Sequence, residues 1–288
     1  MRHSTKLIAA AIAAAALTLL SGGQAVQAQG PIDPETWVYG PRFDDTTGGL
    51  IWNPAKKQLL KGKPVIGPTV STTNQETMNE TYCSIASQSD ADFTWTEMQH
   101  SGVDWGDAWR MWAYAGSDQC PGRKAVPGAR VAYTDEREIQ HALDGGAMVL
   151  VVPTVDTVEE AREVVQWTYF PPMGKRSNGG SQTAAALAPW LPAGVSYRNT
   201  FNNNIVLIVM IETIEGVKNA AAIARVPGVH AVYAASGDIG NFSGYIEGDR
   251  PYERLISHIA KHTLAAGKRL CGPYSWKDTR SGYTCFLR

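Results

Sequence analysis

Several ionisable side chains stand just beyond short apolar runs. Glu212 follows NIVLIVMI at 204–211, and Asp238 lies in Ser236-Gly237-Asp238, just past VHAVYA at 229–234. Arg130 ends a weaker run at 125–131, and Glu97, Gln99 and His100 follow the run that begins at Phe93. Two carboxylates and water can hold a hard divalent cation while leaving positions open for a substrate. An arginine can grip a substrate carboxylate with two N–H groups. A histidine can move a proton near neutral pH. Each also has a plainer reading when taken singly. Glu212 could be the solvated end of a strand, Asp238 part of a turn, His100 a surface loop residue and Arg130 an ion-pair partner. Converging on one face, they make a site the more economical account.

That convergence depends on the elements that carry them. Strand-like runs are expected at 64–70, 93–97, 125–131, 147–152, 204–211, 229–234, 268–272 and 283–287. The run at 204–211 does not alternate, as expected for a strand buried on both faces of a parallel sheet. Helical patterns lie between them, at 77–87, 105–115, 135–143, 157–167, 216–225 and 251–266. Thr157 and Glu160 form a capping box at the start of one of them. Eight strands alternating with helices imply a closed parallel (β/α)8 TIM barrel, in which reactive groups sit at the C-terminal strand ends. An open doubly wound sheet is the rival, but no G-x-G-x-x-G follows an early strand. The eighth strand is the last element read, so the final helix is expected to be missing.

The N-terminus reads as a signal peptide over residues 1–28. A basic start is followed by an apolar run at 7–20 and a Val-Gln-Ala cleavage pattern. This predicts a periplasmic or secreted protein with no membrane span. Residues 29–60, rich in Pro, Gly, Asp and Trp, are expected to be an irregular extension, and 61–288 the barrel. A net charge of −1 without a basic run argues against nucleic acid as a partner. Four cysteines in an oxidising compartment predict disulfides. Cys83 and Cys120 end the first two helices, while Cys271 and Cys285 lie on the last two strands, so these are the expected pairs.

At these residues the sequence resembles the HpcH/HpaI family of class II pyruvate aldolases. The likeness rests on VLVVPTVDTVEEAREVVQWTYFPPMG at 149–174, on VLIVMIETIEGVKNAAAIARVPGVHAVYAASGD at 206–238 and on WTEMQHS at 95–101. The resemblance implies that Glu212 and Asp238 hold a divalent metal (Mg²⁺, Mn²⁺ or Co²⁺). It implies that Arg130 orients a small oxo acid, with backbone N–H groups at Gly237 and Asp238 meeting its carboxylate. It further implies that His100 is the general base and that Asp144 supports it from a neighbouring subunit of a homo-oligomer. Three departures stand out: Met210 replaces a glutamine, Gln99 an acid, and Ala235-Ser236-Gly237-Asp238 the pattern Gly-Pro-Ala-Asp.

The expected activity is therefore metal-dependent aldol or retro-aldol cleavage of a 2-oxo acid through a pyruvate enolate. No lysine falls inside a strand core to form a Schiff base. The alternatives are an exported barrel that binds an oxo acid without catalysis and a lyase for a non-aldol substrate.

Overall fold

The structure is a computed structural model, and it describes residues 49–288. The expected signal peptide and residues 29–48 lie outside the described residues. Strands β1 (Val65–Gly67), β2 (Thr69–Val70), β3 (Trp95–Glu97), β4 (Gly128–Arg130), β5 (Val149–Val152), β6 (Val206–Ile211), β7 (Ala231–Ala234), β8 (Arg269–Pro273) and β9 (Tyr283–Leu287) pair in parallel throughout. Helices α1 (Pro54–Leu60), α2 (Met78–Ala86), α3 (Trp105–Ala115), α4 (Glu136–Gly145), α5 (Val158–Thr168), α6 (Thr183–Leu187), α7 (Tyr197–Asn204), α8 (Ile214–Ala224), α9 (Ser236–Ser243) and α10 (Arg250–Ala265) alternate with them. This is the expected TIM barrel, and no helix follows β9 among the described residues.

Strands β1 and β2 are one segment divided at Pro68, which has no N–H for a ladder. The first half pairs with β9 and the second with β3, so the break is where the ring of strands closes. Arg288 bridges it, its N–H donating to Gly67 O at 3.1 Å and its carbonyl accepting from Thr69 N at 2.6 Å. Strands β5, β6 and β7 are buried at every position, which is why their sequences show no polar alternation.

Two expectations need correction. Within residues 29–60, the stretch from Pro54 is a helix, started by Pro at its first turn and by an Asn53 cap that accepts from Ala55 and Lys56. Asn53 is fully buried, and its amide donates to Met148 O and Asn204 O at 2.9 and 2.8 Å. These acceptors precede β5 and β6, so α1 packs against the N-terminal end of the barrel as part of its core. The cysteines also divide. Cys83 and Cys120 form the expected disulfide with Cα atoms 5.7 Å apart, but Cys271 and Cys285 are buried free thiols. They are register partners on parallel strands, so their side chains lie on the same face of the sheet.

Candidate active site

The C-terminal ends of the strands enclose a cleft of about 220 Å³, with Trp95, Glu97, Arg130, Met210, Tyr233 and Asp238 among its walls. Gly237 lines it too, in the first turn of α9. A side chain added at Gly237 would meet nothing within 4 Å, so the backbone there is open to a ligand. The N–H groups of a helix's first turn have no partner within the helix and favour a negative charge. Arg130, Gly237 and Asp238 thus line one cleft.

Glu212 is buried beside this cleft, one residue past β6. Its Oε2 accepts from Thr154 N at 2.7 Å and from Thr154 Oγ1 at 2.5 Å. Thr154 adopts a left-handed backbone (φ 44°), costly for a β-branched residue by about 1–3 kcal/mol. Its two donors fix the Glu212 carboxylate in return. Burial pushes the Glu212 carboxyl up, and the nearby Asp238 charge adds to this, while the Thr154 hydrogen bonds and Arg130 pull it back. The Glu212 and Asp238 carboxylates at the edge of a cleft form an oxygen donor set suited to a hard divalent cation. The residues present therefore fit a metal, which Glu212 and Asp238 would hold. No cluster of three or more metal-ligating side chains occurs among the described residues.

Arg130 is anchored before any ligand is considered. Its Nε and Nη2 both meet Glu97 Oε2, at 2.7 and 2.6 Å, and its guanidinium lies 5.3 Å from the Trp95 ring centre. Trp95 Nε1 donates to the same oxygen at 2.8 Å. Glu97 Oε1 accepts from the backbone N–H groups of Gln99 and His100 at 2.8 and 2.9 Å. Burial alone would raise the Glu97 carboxyl, but Arg130, Trp95 and the His100 N–H outweigh it and hold it below the usual range. Glu97 was visible in the sequence only as one of several polar residues after a strand. Here it positions Arg130 and also folds the following turn.

The other two predicted residues stand apart. His100 is exposed on that turn and does not line the cleft. Asp144 ends α4 at the opposite end of the barrel, where it pairs at 2.8 Å with the fully buried guanidinium of Arg176. Within one chain, Asp144 therefore does not reach the cleft. Thr154 and Tyr233 were not anticipated: a threonine after Pro153 and a tyrosine inside an apolar strand carry no local mark of a site.

The family model for HpcH/HpaI aldolase/citrate lyase matches residues 75–269. The chain belongs to the HpcH/HpaI aldolase/citrate lyase family. Membership makes it an aldolase, a carbon–carbon lyase of the class II pyruvate-aldolase type. It is 31% identical over 222 residues to a 2-keto-3-deoxy-L-rhamnonate aldolase of Klebsiella pneumoniae, covering 76% of this chain and 78% of that one. It is 38% identical over 149 residues to a hydroxypyruvate/pyruvate aldolase of Delftia acidovorans, about half of each chain (51% and 54%). A family member from Burkholderia cenocepacia has the same fold, with a TM-score of 0.69 and 21% identity over 82% of this chain and 91% of that one. As in the sequence reading, none of the nine strands contains a lysine.

Proposed function

We propose that the chain is a divalent-metal-dependent aldolase that makes or breaks a carbon–carbon bond next to a pyruvate-like 2-oxo acid. The observation that carries this is the placement of Glu212, one residue past β6, and Asp238, in the first turn of α9, at a cleft that also presents Arg130. A metal held by the two carboxylates would supply Lewis-acid charge toward the 2-oxo group. Arg130, kept charged and oriented by Glu97, stabilises the negative charge that develops on the oxo oxygen as the enolate forms. The first-turn N–H groups at Gly237 and Asp238 meet the substrate carboxylate. Trp95, Met210 and Tyr233 wall the cleft and keep water from the reacting carbons. His100 takes the proton from the hydroxyl of the cleaved bond, acting from the rim directly or through water.

Three further points belong to this reading. The chain is exported after removal of residues 1–28, which agrees with a Cys83–Cys120 disulfide. It works as a homo-oligomer, because Asp144 can meet a His100 only across a subunit boundary. Its substrate is a small oxo acid, not a nucleic acid or a membrane lipid. No helix among the described residues is long and apolar enough to cross a membrane.

The test is a product screen. Purified protein with Mg²⁺, Mn²⁺ or Co²⁺ is incubated with a panel of 4-hydroxy-2-oxo acids, and released pyruvate is measured. Pyruvate release that stops on adding EDTA and returns with metal supports the proposal. Turnover that is indifferent to EDTA, or none across the panel, overturns it.

A further inference from the structure

A second cavity, of about 480 Å³, opens at the end of the barrel away from the cleft. Its walls include Leu59 from α1, His230 just before β7, and Lys268 and Arg269 where β8 begins. Behind His230 lies Lys56, buried on the inner side of α1 and in contact with the His230 ring. The topology thus gathers two lysines, an arginine and a histidine from three separate elements around one opening.

The partners of these groups are neutral oxygens. Lys56 Nζ donates to Ile205 O at 3.2 Å, and Lys268 Nζ to Val229 O at 2.7 Å. Arg269 donates to Leu59 O from Nε at 3.1 Å and from Nη2 at 2.7 Å. The ion pairs among the described residues all lie elsewhere, and none of them uses Lys56, Lys268 or Arg269. His230 adds a further mismatch. Its Nδ1 accepts from Leu207 N at 3.1 Å, so the neutral ring carries its proton on Nε2, the nitrogen facing Lys56. An N–H and an ammonium then face each other with no acceptor between them.

This arrangement is unfavourable on its own. Burial, then the Lys268 charge, brings Lys56 down to about 8. Burial, then Lys56 and Lys268, drives His230 well below its ordinary value. Buried cations are normally matched by a carboxylate. Among the described residues none pairs with these cations, which leaves the cavity a set of unmatched donors open to an anion from solution.

We propose that this cavity binds a dianionic phosphate group, as inorganic phosphate or a phosphate monoester. Lys268 and Arg269 hold it, with Lys56 and His230 behind them. A tetrahedral dianion offers acceptors in several directions at once, as donors arriving from three elements require. The cavity is also larger than a phosphate ion, which leaves room for an attached organic group. The site is remote from the cleft and does not depend on the reading of its chemistry.

The test uses the full chain at neutral pH and constant ionic strength. Inorganic phosphate, glycerol phosphate and malonate are titrated in turn by calorimetry, and melting is followed against matched sodium chloride. Saturable phosphate binding, weakened about tenfold or more by Lys268→Gln and unaltered by Arg130→Met in the cleft, supports the proposal. The tighter of the two phosphate ligands identifies the source. Lys268→Glu places a carboxylate at the cavity, so it should melt higher than wild type in phosphate-free buffer and lose the response to phosphate. Phosphate that acts no differently from sodium chloride overturns the proposal. So does unchanged affinity in Lys268→Gln, or malonate binding as tightly as phosphate.

Discussion

Arg130 and Glu97 are register partners on the adjacent parallel strands β4 and β3, and two guanidinium nitrogens converge on the single oxygen Glu97 Oε2. Both side chains are largely buried, at 12% and 8% exposed. Removing one partner of such a pair strands the other, at about 3–5 kcal/mol where burial is complete. Glu97→Gln should therefore destabilise the fold by about 2–4 kcal/mol and release Arg130 from its fixed direction. Because Glu97 acts through Arg130, which both orients the oxo acid and stabilises the developing enolate, KM should rise and kcat fall together. Glu97→Asp should restore part of the loss. Steady-state kinetics and denaturant melts measure both effects. An unchanged KM in Glu97→Gln would show that Arg130 is held in place without it.

The two metal donors make a sharper prediction. Glu212→Gln and Asp238→Asn should each lower Mn²⁺ affinity by about a hundredfold or more, at least the loss typical when only an outer-shell partner of a metal ligand goes. Neither should unfold the barrel, since Gln can still accept from Thr154 and Asp238 stands at the cleft surface. Calorimetric titration of Mn²⁺, with circular dichroism as the check on folding, decides it. Wild-type affinity in either variant refutes that donor's assignment.

Asp92 offers a pH test away from the site. Burial, with Asp90 adding to it, raises its carboxyl to about 6 in spite of the hydrogen bond from Ile66 N. The folded protein therefore keeps a proton that the unfolded chain loses near 3.8. Stability then falls as pH rises from the unfolded value to about 6, and the cost remains at every higher pH. Asp92→Asn keeps an acceptor for Ile66 but cannot ionise. It should flatten that part of the stability profile and gain on the order of 1 kcal/mol at neutral pH. Urea melts across that range provide the comparison.

The cysteines predict a thiol count. Denatured without reductant, the chain should react with two equivalents of a thiol reagent, from Cys271 and Cys285, and with four after reduction. Burial, with Cys285 beside it, pushes the Cys271 thiol well up, and both side chains are shut away from solvent, so neither should react while the protein is folded. The Cys83–Cys120 bridge closes a loop with a separation of 37 residues. Replacing both by alanine should cost about 2–4 kcal/mol. No free thiol in the unreduced chain would restore the second bridge.

How much of this was legible in the sequence varies with the physics behind each feature. The runs at β5 and β6 were plain, because burial on both faces leaves an unbroken apolar record. Their length placed Glu212 correctly at a strand end. The start of α1 was also written locally, in Asn53-Pro54, but the Pro- and Gly-rich surroundings hid it. Thr154 could not be read, since its role comes from a left-handed backbone that its residue type disfavours. The grip of Glu97 on Arg130 depends on register between strands thirty-odd positions apart, which no local pattern records. The same holds for Cys271 and Cys285: the sequence made them neighbours, but no local pattern records that the two thiols stay free.

Pro68 has a consequence for how the barrel opens. The segment it divides gives three residues to β9 and two to β3, so neither pairing is long, and joins positions as distant in the chain as Val65 and Cys285. A contact of that span forms only after nearly the whole chain is in place, and its loop-closure entropy is not repaid by many hydrogen bonds. The seam should be the last part of the cylinder to zip and the first to part. In hydrogen–deuterium exchange, the amides of Thr69 and Arg288 should lose protection before those of β5 and β6, and the barrel would breathe along one fixed line.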